Sequence, residues 1–405
     1  MQGLFLGAGA SYELGMPLVW ELTKILKRDH APETLRKMQS FQPVDSASHW
    51  SKESVELLIS LLSDDDLHYE ALIGAIEVET QRRYGPQDSY ERIRLHLVDM
   101  VSRFLIGQHC HERKFTISGM KYAAGISKLI EANRPLNIFS LNHDVMVEEI
   151  CAYLDEPIKA GFYKDHEYWS SAFSGAPFGF PFEVLTRSNM EAGAFDFFKP
   201  GEKGVNIYKL HGALDTFLFN SCQDFIRFYP KKIKSGGYID LLVELNNENH
   251  RIEIEDGIRS IEMMTLKDSS GIEQFFDRSL ITGAFKFQGN SNSKRALRVF
   301  FEKFKTDIVQ IKELICIGYS FGDLHINSII SDWLRSSVDR RLVIVDPFCN
   351  AIPSFLLHLK KQVSIDRKTF LDYLMPSPAT DQEKLERYIF KQVREFRRLQ
   401  TFESI

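Results

Sequence analysis

Five apolar runs constrain this chain more than any other feature: "LFL" before "GAGAS", then "PLNIFSL", "VNIYKL", "ELICIGYS" and "RLVIVDP". Each is too short for a helix and is closed by turn-forming or polar residues. A run that is apolar throughout, rather than alternating, suits a strand buried on both faces, as in a parallel sheet. Between the runs stand long stretches with apolar residues at helical spacing. Strands alternating with helices predict an α/β fold with a Rossmann-like, mainly parallel sheet. In such sheets ligands sit beyond the carboxyl ends of the strands.

The rest of the chain divides around these runs. Residues 1–30, 135–219 and 291–350 read as a nucleotide-binding domain. Within it, Pro17 reads as the first residue of a helix through "LVWELTKILKR", where its missing N–H is no loss. Residues 31–134 read as a large helical insertion, with "SVELLISLLSD", "YEALIGAIEVETQRR" and "YERIRLHLVDMVSRFLIG" periodic throughout. Residues 220–290 read as a small β-rich insertion carrying "DFIRFYP", "YIDLLVEL" and "HRIEIED". The Phe-rich stretch 164–204 reads as a loop packed over the cleft, moved by oligomerisation or a partner. Residues 351–405 form a C-terminal helical region. Its last helix carries Leu385, Ile389, Val393, Phe396 and Leu399 along one face, with Lys391, Arg394, Arg397 and Arg398 beside it. That helix either packs on its own domain with a solvated basic edge or serves as an assembly surface.

Composition narrows the function classes. A net charge of −5 argues against a surface built wholly for nucleic acid or anionic membrane, and "YPKKIKSGG" reads as a solvated basic loop. The five cysteines are scattered and contain no C-x-x-C pair, so neither a zinc module nor a disulfide framework is expected. No apolar run approaches the ~18 residues of a membrane helix, and no basic signal-peptide n-region is present. A cytoplasmic location is expected.

Four strand ends carry unusual chemistry. The first is Gly7-Ala8-Gly9-Ala10-Ser11, where small residues let backbone approach a pyrophosphate. Tyr12 stands where the third glycine of G-x-G-x-x-G belongs, so a tight turn without ligand remains open. The second is Asn142-His143-Asp144, the plainer uses being a turn and a helix cap. The third is His211-Gly212, where a structural histidine is the plainer reading. The fourth is Gly318-Tyr319-Ser320 with Gly322 and Asp323, the last also suited to capping "LHINSII". Together they describe a nucleotide cleft. Asp346, ending "LVIVD", stands where an acid binds adenosine ribose hydroxyls, or makes a turn before Pro347.

In this set and order the motifs resemble the sirtuin family: G-A-G-x-S, then Gly15-Met16-Pro17, then N-x-D, H-G and G-x-S. The resemblance covers the Rossmann-like half in pieces. It implies a sirtuin-type fold binding NAD through Gly7, Ala8, Gly9, Ala10, Ser11, Pro17, Gly318 and Ser320, with Asn142, Asp144 and His211 at the reacting centre. Two departures stand out. The four-cysteine zinc module is missing, and Val19 and Trp20 occupy positions that are usually Phe and Arg. "KLHG" with "GYSFGDLHIN" is similar to the sirtuin-like branch of bacterial anti-phage systems. That resemblance implies an NAD glycohydrolase that needs no metal, forms a homo-oligomer and partners a HerA-type hexameric ATPase. A protein deacylase and a non-catalytic NAD or ADP-ribose sensor are the competing expectations.

Overall fold

The computed structural model describes residues 1–41, 49–82, 85–164, 178–257, 263–280, 292–375 and 379–402, with backbone alone for 292–297. In chain order its strands are β1 Gln2–Leu6, β2 Leu136–Ser140, β3 Ile158–Lys159, β4 Phe182–Leu185, β5 Val205–Lys209 and β6 Thr216–Phe219. They continue as β7 Asp224–Phe228, β8 Met263–Lys267, β9 Glu273–Arg278, β10 Glu313–Ile317, β11 Arg341–Val345 and β12 Val363–Asp366.

The five apolar runs become β1, β2, β5, β10 and β11 of a seven-stranded parallel sheet, ordered β12-β11-β10-β1-β2-β5-β3. Alternate residues serve two cores. Leu4, Leu6, Ile138, Ile207 and Ile315 face one side, while Phe5, Phe139, Tyr208 and Cys316 face the other with Phe304. From β1 the chain builds outward through β2, and later returns to place β10 on the opposite side of β1. The strand order therefore reverses between β1 and β10, which is where open parallel sheets form their ligand crevice.

A second sheet is antiparallel, ordered β4-β7-β6-β9-β8, with a phenylalanine-rich core of Phe178, Phe182, Phe217, Phe228 and Phe276. "DFIRF" is β7, as expected, but "YIDLLVEL" and "HRIEIED" are not strands. They form one helix, Gly237–Glu255. Its β-branched residues obscure the helical spacing of Tyr238, Ile239, Leu241, Leu242, Leu245 and Ile252, all buried. The helix is started from a distance: the Glu149 carboxylate accepts the N–H groups of Gly236 and Ile239, both at 2.7 Å. Burial pushes that carboxyl up to about 7, against the pull of those N–H groups.

The described residues of 31–134 are mainly helical, the longest element among them being Gln87–Gly119. Pro17 does not begin a helix. The Leu18 N–H donates to the Glu21 carboxylate at 2.8 Å, so the helix begins at Val19 with Pro17 outside it. In the described part of the Phe-rich stretch, Phe197 stacks on Tyr208 with ring centroids 4.4 Å apart. Residues 165–177 of that stretch lie outside the described residues.

The last helix, Asp381–Phe402, lies with its basic side inward, so the expected solvated basic edge is corrected. Arg387 pairs with Glu13, Arg394 donates to the carbonyls of Tyr12 and Met16, and Arg397 pairs with Glu112 at 2.7 Å. Among the described residues no helix is long and apolar enough to cross a membrane.

Candidate functional site

The glycines after β1 are explained by the backbone they touch. Gly7 N–H donates to Ile317 O and Gly9 N–H to Gly318 O, both at 3.0 Å. A Cβ on Gly7 would lie 2.5 Å from Gly318 O, and one on Gly9 2.7 Å from Gly318 Cα. Gly318 itself has φ +62°, and a Cβ there would lie 2.5 Å from Ala10 N. The first and fourth strand ends are thus pressed together at the switch point. The loop's N–H groups are also engaged: Ala10 N–H bonds Gly7 O and Ser11 N–H bonds Ala8 O. Ala8, Gly9 and Gly318 remain half-buried and Ser320 exposed, so the outer surface of this junction faces solvent.

The second strand end is clamped onto the first. Asn142 Nδ2 donates to Gly7 O at 2.9 Å and to Ser11 Oγ at 3.0 Å. A carbonyl partner fixes the amide orientation, since only the nitrogen can donate to it. Asp144 is buried and accepts the Met146 N–H at 3.0 Å, opening the helix Met146–Leu154. Its plainer use is therefore present.

His211 is buried at the end of β5, with Nε2 3.3 Å from Asp323 Oδ2. The other Asp323 oxygen accepts the N–H groups of His325 and Ile326, so the residue caps the helix Leu324–Arg335 as the sequence suggested. One carboxylate thereby joins the third strand end to the fourth. Gly212 follows with φ +79°, and a Cβ there would lie 1.9 Å from Ser279 O. His143 lies beside them, its ring centroid 6.4 Å from that of His211.

Two predicted residues flank this junction: the Gly318 N–H donates to the Val345 carbonyl at 3.1 Å, one residue before Asp346, and the Met16 N–H donates to the Ser11 carbonyl at 3.2 Å, one residue before Pro17. Asp346 Oδ1 accepts the Phe348 N–H at 2.7 Å, which is the turn before Pro347. Pro17 is buried beyond Met16, in the segment that Arg394 holds through the Met16 carbonyl.

Sequence reasoning missed a buried ionic network beneath His211-Gly212. Lys209 donates to the Asp144 carbonyl and lies 3.3 Å from Glu148. Arg227 pairs with Asp215 at 2.8 Å and Glu183 at 3.0 Å, and lies 3.6 Å from Glu148. Burial pushes the Glu148 and Glu183 carboxyls upward, which lowers the cost of three acids facing two cations. A cavity of about 10 Å³ lies between Lys209, Gly212, Thr216 and Arg227 on one side and Ala160, Phe162, Ala213 and Phe300 on the other. Only "KLHG" hinted at this network, through a lysine ending an apolar strand.

His109 supports the Asn142–Asp144 loop from the long helix, with the Val145 N–H 3.4 Å from Nε2. Complete burial lowers its pKa from 6.5 to about 4. Its stabilising contribution is present above pH 6.5 and is lost as pH falls towards about 4. Urea midpoints measured from pH 8 to pH 4 should therefore fall less steeply in His109→Gln than in the parent. Parallel profiles would remove His109 from the acid limb.

Compared with known proteins, the chain matches no family model and no curated protein.

Proposed function

We propose that this chain is an NAD glycohydrolase, cleaving NAD to nicotinamide and ADP-ribose. The observation that carries the reading is the convergence at the switch point. There the glycine turn after β1 meets Asn142 after β2, and a His211–Asp323 pair joins the ends of β5 and β10. Dinucleotides are a ligand class that such crevices take, and the order of the motifs favours NAD among them.

The chemistry asks little of an acid. Nicotinamide leaves NAD as a neutral molecule, so the C1′–N bond breaks with its electron pair and needs no protonation. The water oxygen bonds to C1′, and one proton must go elsewhere. His211 takes that proton, while Asp323 orients the ring and balances the imidazolium. Asn142 orients the nicotinamide ribose and the water, and Asp144 shapes the loop that carries it. Ala8, Gly9, Gly318 and Ser320 line the dinucleotide, and Asp346 offers its second carboxylate oxygen to the adenosine ribose.

On this reading the protein depletes NAD as the effector of a bacterial anti-phage system, with a HerA-type ATPase as its partner. The motifs "KLHG" and "GYSFGDLHIN" support that placement. The test is incubation of purified protein with NAD, with and without a co-purified partner, reading both products. Equimolar nicotinamide and ADP-ribose are expected. Release only with an acetylated peptide identifies a deacylase, binding without release identifies a sensor, and no binding rejects the nucleotide reading.

A further inference from the structure

The loop after β10 holds a conformation that its own sequence does not favour. Residues 318–323 read Gly-Tyr-Ser-Phe-Gly-Asp. Phe321 has φ +59°, although the neighbouring Gly322 would take that conformation at less cost. A side chain in the left-handed region persists only where the surroundings enforce it, and such positions gather at functional sites. Ser320, Gly322 and Leu324 are exposed, so the outer side of the loop does not supply the enforcement.

It comes from beneath. Asn327, buried on the helix Leu324–Arg335, reaches three residues of the loop. Its Nδ2 donates to Phe321 O at 2.7 Å, its Oδ1 accepts from the Tyr319 hydroxyl at 2.9 Å, and its backbone N–H donates to Asp323 O at 2.9 Å. A carbonyl at one end leaves the amide a single orientation. The Tyr319 hydroxyl also lies 3.2 Å from Asp323 O. Its ring packs on Phe5 of β1 and on Phe321, with centroids 5.1 and 4.7 Å away. Burial pushes the phenol pKa upward, so the hydroxyl stays a donor at neutral pH.

We propose that Asn327 is a positioning residue for His211. Together with Tyr319 it fixes the backbone on both sides of Gly322, and so aims the Asp323 carboxylate at the imidazole. That carboxylate is divided. One oxygen lies 3.3 Å from His211 Nε2, and the other accepts the N–H groups of His325 and Ile326. Capping involves only the first turn of the helix. The two bonds of the Asn327 amide go instead to residues 319 and 321, outside the helix, and set the direction from which the chain reaches Asp323. The kinetic consequence rests on the proposed NAD hydrolysis; the positioning itself does not.

The test uses the full chain in two measurements at one pH. In ligand-free protein, the imidazole nitrogen resonances of His211, assigned by their loss in His211→Gln, report the carboxylate beside the ring. Asn327→Leu keeps the bulk of the side chain and removes both amide bonds. It should shift those resonances in the direction in which Asp323→Asn shifts them. Tyr319→Phe removes only the hydroxyl and should shift them the same way by less; it decides the matter where the leucine variant does not fold. The rate of NAD loss is the second measurement. Asn327→Leu should slow it on the order of tenfold in the parent, but by about threefold at most in the Asp323→Asn background, because residues acting through one group are not additive. His211 resonances unmoved in both variants overturn the proposal, and so do fully additive rate losses. If the resonances move while the parent leaves NAD intact, the positioning stands and the assigned activity falls.

Discussion

Replacing His211 by alanine should lower the rate of NAD loss by about 10²–10⁴-fold, the usual contribution of a positioned general base. The imidazole is buried at a strand end, with Nε2 3.3 Å from the Asp323 carboxylate. Asp323→Asn separates orientation from capping. Asparagine caps helices as well as aspartate, so thermal stability should hold while the rate drops at least tenfold through loss of the charge that balances an imidazolium. Nicotinamide release and thermal midpoint, measured on the same samples, distinguish the two effects. A parental rate in His211→Ala would show that the proton goes elsewhere.

The second large effect concerns folding. Arg227→Ala should cost about 3–5 kcal/mol, the penalty for breaking a buried ion pair from one side. The guanidinium is enclosed by Asp215, Glu183 and Glu148, and its removal leaves those carboxyls without their main counter-charge. Urea unfolding measures the loss. Arg36→Ala, which breaks an exposed pair with Glu56, serves as the control and should leave the midpoint nearly unchanged. If both variants unfold alike, the network does not hold the floor beneath His211-Gly212.

Parts of this arrangement were readable from the chain and parts were not. The central strands were readable because burial on both faces demands apolar residues at every position, a local signature. The capping role of Asp323 was readable for the same kind of reason, since a cap acts within one turn of its own helix. Its bond to His211 was not, because the two residues stand on strands separated by β1 and β2. Gly237–Glu255 reads as two strands in sequence because Ile239, Val243, Ile252 and Ile254 give short β-like runs, while its cap, Glu149, comes from another helix.

The glycines show a subtler limit. Sequence marked Gly7, Gly9 and Gly318 as places of close approach, and they are, but the nearest approach is of one loop to another. The final helix shows the sharpest reversal. Its amphipathic row was plain, yet buried arginines turn that row outward.

The order of residues alone determined the parallel sheet, its strand ends and the residue types gathered there, because hydrophobic periodicity and capping are short-range effects. The tertiary structure decided which strand ends touch, which carboxylate faces the histidine and which side of the last helix meets water. Those choices depend on charges and backbone groups brought together from far along the chain, and no local pattern encodes their partners.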